Sequence, residues 1–131
     1  MRYRTHMLPF HLAFKTGAPV YEQVVYAVKK AVITGALKPG DKFPSVRTLS
    51  QELRINPNTA HKVVATLVAE RLLEVKPGIG TVIADAHAAT REERRDLLGD
   101  EVERVVVEAK KLNLEYEDVI SAIKRHWDRL S

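Results

Sequence analysis

There is no cysteine in these 131 residues. That excludes a disulfide, a thiol nucleophile and any zinc site built on thiolates. No apolar run approaches the ~20 residues that a membrane-spanning helix needs, and the N-terminus has no signal-peptide core, so the expected location is the cytoplasm, with no membrane partner. The five histidines, His6, His11, His61, His87 and His126, are scattered without metal-ligand spacing. Glu92, Glu93 and Asp96 read as a solvated helix face rather than as carboxylates paired for acid–base work. No catalytic constellation is left, so the sequence predicts a protein that is not an enzyme and takes no cofactor or metal. The length allows one compact domain with an appendage.

What is present concentrates in residues 44–83, PSVRTLSQELRINPNTAHKVVATLVAERLLEVKPGIGTVI. Ser45 stands where a helix N-cap belongs, with Pro44 keeping the chain before it extended. Val46, Leu49 and Leu53 recur at helical spacing, and Arg54 and Ile55 break the pattern. Asn56 followed by Pro57 starts a second helix: a preferred cap, then proline where its missing N–H is harmless. Ala60, Val63, Val64, Leu67 and Val68 form its apolar stripe. The opposite face carries Asn58, Lys62, Ala65 and Ala69, flanked by Thr59, His61 and Thr66. Polar groups come first and small residues follow, the shape that lets a helix N-terminal half reach base edges in a major groove. An ordinary amphipathic helix with a sparse surface fits the same pattern.

Two short strands follow, Leu73–Lys76 and 81–84, joined by Pro77-Gly78-Ile79-Gly80. Pro then Gly suits the central positions of a type II turn, and the second glycine lets the backbone approach a neighbouring surface. Helix, turn, helix and hairpin in this order make a winged helix-turn-helix. The hairpin tip is placed to meet DNA, with Lys76 at its base for a phosphate; a hairpin that only covers the core is the plainer alternative.

The stretch resembles the DNA-binding domain of the GntR family of bacterial transcriptional regulators. The resemblance is carried by Pro44-Ser45, Arg47, Leu49, Thr59 and the wing Gly78-Ile79-Gly80-Thr81. Ile55-Asn56-Pro57-Asn58-Thr59 and the entry Pro19-Val20-Tyr21-Glu22-Gln23 look most like the short YtrA-type subfamily. The resemblance implies that Arg47 reads a guanine edge, that Ser45 and Thr59 hold phosphates, and that the Gly78–Gly80 tip approaches the minor groove. Many members carry an arginine where this chain has Pro57. That departure shifts base recognition to Arg47, Asn58, His61 and Lys62 and leaves their choice of bases open. Arg47 has the geometry for a bidentate guanine contact, worth about 1–3 kcal/mol of discrimination; a salt bridge to Glu52 is its structural alternative.

Charge divides along the chain. Residues 1–84 hold 12 Lys+Arg against 5 Asp+Glu, a net +7, and residues 85–131 hold 9 against 12, a net −3. A basic front and an acidic rear suit a DNA-binding domain joined to something that does not touch DNA.

In the rear, residues 85–89 read as a hinge, and Thr90 with Glu93 has capping-box spacing. Leu98, Val102, Val105, Ala109 and Leu112 then follow at heptad spacing, widened by Val106. After a break at 113–115, a last helix presents Tyr116, Val119, Ile120, Ile123, Trp127 and Leu130. Two helices of this size cannot bury both faces against each other, so the expected interface is a homodimer through Leu98, Val102, Val105, Ala109, Leu112, Ile120, Ile123 and Trp127. Packing on the first domain with a monomer in solution is the alternative.

At the front, residues 1–18 read as an extended arm with Phe10 and Phe14 covering the core or a dimer seam. Tyr21, Val24, Val25, Val28 and Val32 mark a helix ending near Gly35, and Leu37-Lys38-Pro39-Gly40-Asp41 is a tight turn. The expected fold is mainly α with a small β wing: an arm at 1–18, a winged helix-turn-helix at 19–86 and a two-helix dimerisation unit at 87–131. The expected function is a sequence-specific transcriptional regulator, a repressor binding a palindromic double-stranded DNA operator as a homodimer. A winged-helix protein-interaction module is the rival. The 45 or so residues after the wing leave no space for the large effector domains of other family branches, and an effector held in the dimer seam stays open.

Overall fold

The computed structural model describes Leu8 and residues 12–131. The expectations for Pro9, Phe10 and His11 and for the start of the arm lie outside the described residues. By its internal contacts the chain divides into two units, Met1–Ala86 and His87–Ser131.

The first unit is built on three helices and a hairpin: α1 (Val20–Ile33), α2 (Val46–Leu53), α3 (Pro57–Ala69), β1 (Leu73–Lys76) and β2 (Gly80–Ile83). Helix α1 buries Val24, Val25, Val28 and Ala31, and α3 buries Ala60, Val63 and Leu67. With Leu49 of α2, Phe43, Leu73 and Ile83 they make one apolar core. Val68 of the predicted stripe is more than a third exposed and stays outside it.

Helix starts follow the local chemistry. Ser45 Oγ accepts from the Thr48 amide at 3.1 Å, and Asn56 Oδ1 accepts from the Asn58 amide at 2.7 Å. Between α2 and α3 the chain reverses through Arg54, whose φ is 55°. The Ile55 amide there donates to the Ser50 carbonyl at 3.1 Å, and Ser50 Oγ returns a bond to the Ile55 carbonyl at 2.9 Å. The turn is thus held at both of its polar ends while Ile55 packs on the core.

The hairpin pairs Leu73 with Ile83 and Lys76 with Gly80. Strand β2 therefore starts one residue earlier than the sequence predicts, because Gly80 closes a three-residue loop directly opposite Lys76. A third, very short partner joins the other edge of β2: Lys42 bridges Val82, with the Phe43 amide donating to the Thr81 carbonyl at 2.9 Å. The turn before it is closed by Asp41, whose carboxylate accepts from the Lys38 amide at 2.8 Å.

The second unit is helical. It runs as α4 (Arg91–Arg95), a π-helical turn (Asp96–Glu101) and α5 (Val102–Lys111), then α6 (Tyr116–Arg129). Thr90 and Glu93 form the reciprocal capping box that their spacing predicts. Asn113, with φ 58°, ends α5 in the left-handed conformation that asparagine tolerates better than most residues. The π-turn was not legible as a heptad break. It puts Leu97, rather than Leu98, in line with Val102, since a π-turn spaces equivalent positions five apart. A groove of about 500 Å³ accordingly draws on Leu97, Val102, Val105, Ala109, Ile120 and Ile123 among others, while Leu98, Leu112 and Trp127 lie outside its lining. Ala109 is the one buried side chain of this unit.

Candidate nucleic-acid interface

Helix α3 presents its N-terminal half to solvent. Asn58, His61 and Lys62 are exposed and Thr59 is half-buried, while Ala65 and Ala69 behind them are exposed and small. The residue at the start of this face, Pro57, is the first helical residue after the Asn56 cap. The helix dipole adds partial positive charge at this end, although Pro57 has no N–H to offer and the Asn58 amide is taken by the Asn56 cap. The face therefore combines the positive end of a helix with three polar side chains of different reach.

On α2, Arg47 is exposed. Among the described residues it makes no ion pair, so the alternative pairing with Glu52 is not formed, and the guanidinium is open to an outside acceptor. Glu52 is instead partly buried and keeps one carboxylate oxygen from water without a hydrogen-bond partner. Ser45 heads the same helix, its hydroxyl engaged both by the Thr48 amide and with the Thr48 hydroxyl. That cap is compatible with a phosphate, because the helix start is itself an anion site.

Lys62 has a partner that sequence spacing did not indicate. Its amine sits 4.0 Å from the centre of the Tyr21 ring, across from α1. A cation over an aromatic face at an exposed site gains about 0.5–1 kcal/mol, which Lys62 gives up if it turns to a phosphate. Nearby, Lys29 of α1 and Glu70 after α3 make an ion pair at 2.7 Å that ties the two helices at the other end.

The wing turn has the geometry its sequence predicts. Gly78 has φ 79°, and the Ile79 amide donates to the Lys76 carbonyl at 3.0 Å, closing the turn over Pro77 and Gly78. Lys76, at the base, lies 3.9 Å from the Glu74 carboxylate with half of each side chain exposed. A pair that loose and that wet is worth about 0–1 kcal/mol, so Lys76 remains available to a stronger anion. Two further cations flank the predicted set: Lys42, brought beside the wing by its bridge to Val82, and Arg54 in the turn between the helices. Neither has a sequence signal, since a one-residue bridge has no periodicity and an arginine is an unusual occupant of a left-handed turn.

Among the described residues no cluster of His, Asp or Glu is arranged to hold a metal ion, and no helix is long and apolar enough to cross a membrane. The first unit presents a polar and basic face on a helix, with a hairpin beside it in sequence.

Comparison with known proteins agrees with that geometry. Residues 20–83 match the family described as bacterial regulatory proteins, gntR family. The chain is 32% identical over 111 residues to the HTH-type transcriptional repressor YtrA of Bacillus subtilis, a match that spans 84% of this chain and 85% of that protein. Among solved structures it is similar to a GntR family transcriptional regulator from Listeria monocytogenes, with 27% identity and a TM-score of 0.64 over 86% of this chain and 98% of that one. A structure described as a transcriptional antiterminator from Listeria monocytogenes EGD-e shares the fold at a TM-score of 0.84, with 23% identity over 92% and 91% of the two chains. The chain belongs to the GntR family of bacterial regulatory proteins and is a DNA-binding transcriptional regulator with a winged helix-turn-helix.

Proposed function

We propose that this regulator is a cytoplasmic repressor that acts without catalysis, binding a palindromic operator as a homodimer. The observation that carries the dimer is the state of the second unit. Of the 19 large apolar side chains that stand exposed among the described residues, 12 belong to residues 97–127. A 45-residue unit with one buried side chain has no core to offset its conformational entropy and requires a covering surface. A second copy of the same helices supplies one, burying Val102, Val105, Ile120 and Ile123 around a two-fold axis, with the already buried Ala109 at the floor of the seam. Leu98, Leu112 and Trp127 belong to the same proposed interface, outside the groove itself.

A two-fold protein sets two copies of α3 into equivalent major grooves about 34 Å apart or a multiple of that. In each half-site Arg47, Asn58, His61 and Lys62 meet base edges or phosphates, Ser45 and Thr59 take phosphates at the helix starts, and Lys76 with the Gly78–Gly80 tip follows the adjacent groove. Repression is the reading that the B. subtilis relative supports. We assign no effector.

The test is fluorescence anisotropy of the full chain with DNA from upstream of its own gene, beside a scrambled duplex of equal length, at two salt concentrations. Tight binding confined to the native DNA is the expected result, with a log–log salt slope that reports phosphates neutralised at about 0.9 each. Equal affinity for both duplexes contradicts an operator there. Sedimentation on and off DNA then reads the stoichiometry, and one chain per operator would remove the dimer.

A further inference from the structure

The apex of the wing carries no charge. The loop of residues 77–79 raises one branched side chain, Ile79, which is 57% exposed and takes no part in the core. Gly78 and Gly80 stand on either side with φ 79° and 113°, and a Cβ built on either would meet nothing within 4 Å. The apex therefore carries only the Pro77 ring and Ile79. Val75 on β1 adds a second exposed apolar side chain, at 62%. The nearest cation along the strand, Lys76, stands at the base of the loop beside Glu74.

An isoleucine here lies outside the core and leaves apolar surface in water. Its branching at Cβ leaves few χ1 choices, so it is presented in a nearly fixed shape. The closed turn under it, with the Ile79 amide bonded to the Lys76 carbonyl, fixes the backbone as well. What such a tip can read is the floor of a minor groove. There an A·T pair shows only acceptors, whereas a G·C pair adds the guanine N2 amino donor. A hydrocarbon pressed against that donor strips its water and returns no acceptor, and the amino group also occupies the space the side chain would fill.

We propose that Ile79 is a specificity-determining residue: it enters the minor groove at the edge of each half-site and selects A·T over G·C there by shape. The inference rests on the DNA-binding reading of the wing. It gives the tip a role that a basic side chain cannot have, since attraction to phosphate or to the groove potential is sensitive to salt, and contact with the floor is far less so.

The test uses the full chain and synthetic operator duplexes. Hydroxyl-radical footprints of the wild type and of Ile79→Ala locate the base pairs under the wing. Those pairs are then set in turn to A·T, G·C and I·C; inosine keeps the major-groove edge of guanine but lacks the N2 amino group. For the wild type, G·C should weaken binding by about tenfold and I·C should restore it, within the range of a mismatched position in a specific site. Ile79→Ala should flatten the three to within a factor of two or so of one another without changing the salt slope. Ile79→Lys should steepen that slope by about 0.9 on all three duplexes alike. Equal behaviour of I·C and G·C would place any discrimination in the major groove and overturn the proposal, as would an Ile79→Ala variant that still tells A·T from G·C. A wild type that binds operator no better than scrambled DNA fails earlier, at the reading on which the proposal rests. Ile79 lies outside the core, and an unchanged melting temperature confirms that each variant is folded.

Discussion

On the proposed reading, Arg47 is the residue on which base recognition turns. It is exposed and without an ion pair among the described residues, so truncating it removes an outside contact and little else. Arg47→Ala is expected to weaken operator binding by about 1–3 kcal/mol while leaving scrambled DNA nearly unaffected; equal loss on both duplexes would show a phosphate contact instead. Arg54 tests the fold rather than the interface. Its left-handed φ of 55° strains a residue with a Cβ, and glycine would relieve the strain, offset in part by the greater entropy it gives the unfolded chain. Arg54→Gly is expected to raise stability by up to about 1 kcal/mol in urea titration. Lys62 sits on the Tyr21 ring in the free protein and is proposed to meet phosphate on DNA. If it does reach phosphate, Lys62→Ala should lower the log–log salt slope by about 0.9, and an unchanged slope would leave it as a helix-to-helix contact only.

At the scale of elements, the helix starts and the wing turn were legible because their determinants are local. Ser45, Asn56-Pro57, Thr90 with Glu93, and Pro77-Gly78 each act within four residues, and the structure uses each of them as a cap or turn. What was not legible depends on partners far along the chain or on backbone geometry without a composition signal. Tyr21 under Lys62 is of the first kind, as is the bridge of Lys42 to Val82. The π-turn at Asp96–Glu101 is of the second: its residues look helical, and only the hydrogen-bond step differs. The proposed readers of DNA on α2 and α3 were legible through family resemblance and through the composition of one face of α3, polar first and small behind.

The capping box at Thr90 carries a pH prediction at the same scale. The Glu93 carboxylate accepts from the Thr90 amide at 2.9 Å and lies 3.4 Å from His87 Nε2. The Thr90 amide first, and the His87 contact second, hold its carboxyl below the usual glutamate value. A group whose pKa is lowered by folding stabilises the fold above its ordinary value, and that contribution disappears as the pH falls through the ordinary range to the lowered one. The first turn of α4 should therefore fray on acidification through the carboxylate range, seen as faster exchange of the Thr90 and Glu93 amides than their intrinsic rates require. Glu93→Gln should remove that pH dependence; its persistence would assign the fraying to other carboxylates.

For the molecule as a whole, the proposed assembly rests on the second unit. Val105→Asp puts a charge into the groove that a second copy is proposed to cover, and burying it unpaired costs several kcal/mol. The variant is expected to sediment as a monomer and to lose operator affinity while the first unit stays folded; a dimeric Val105→Asp would move the interface elsewhere. Ala109 is the one fully buried side chain of that unit, so a second copy laid against it is expected to hold its helices in place. On the dimeric reading, pairing, ordering of that unit and operator occupancy then form one linked equilibrium, governed by mass action. Occupancy rises faster than in proportion to the number of chains, because two must meet before either half-site is held firmly. Through an unfilled surface, such a regulator would gauge its own abundance in the cell.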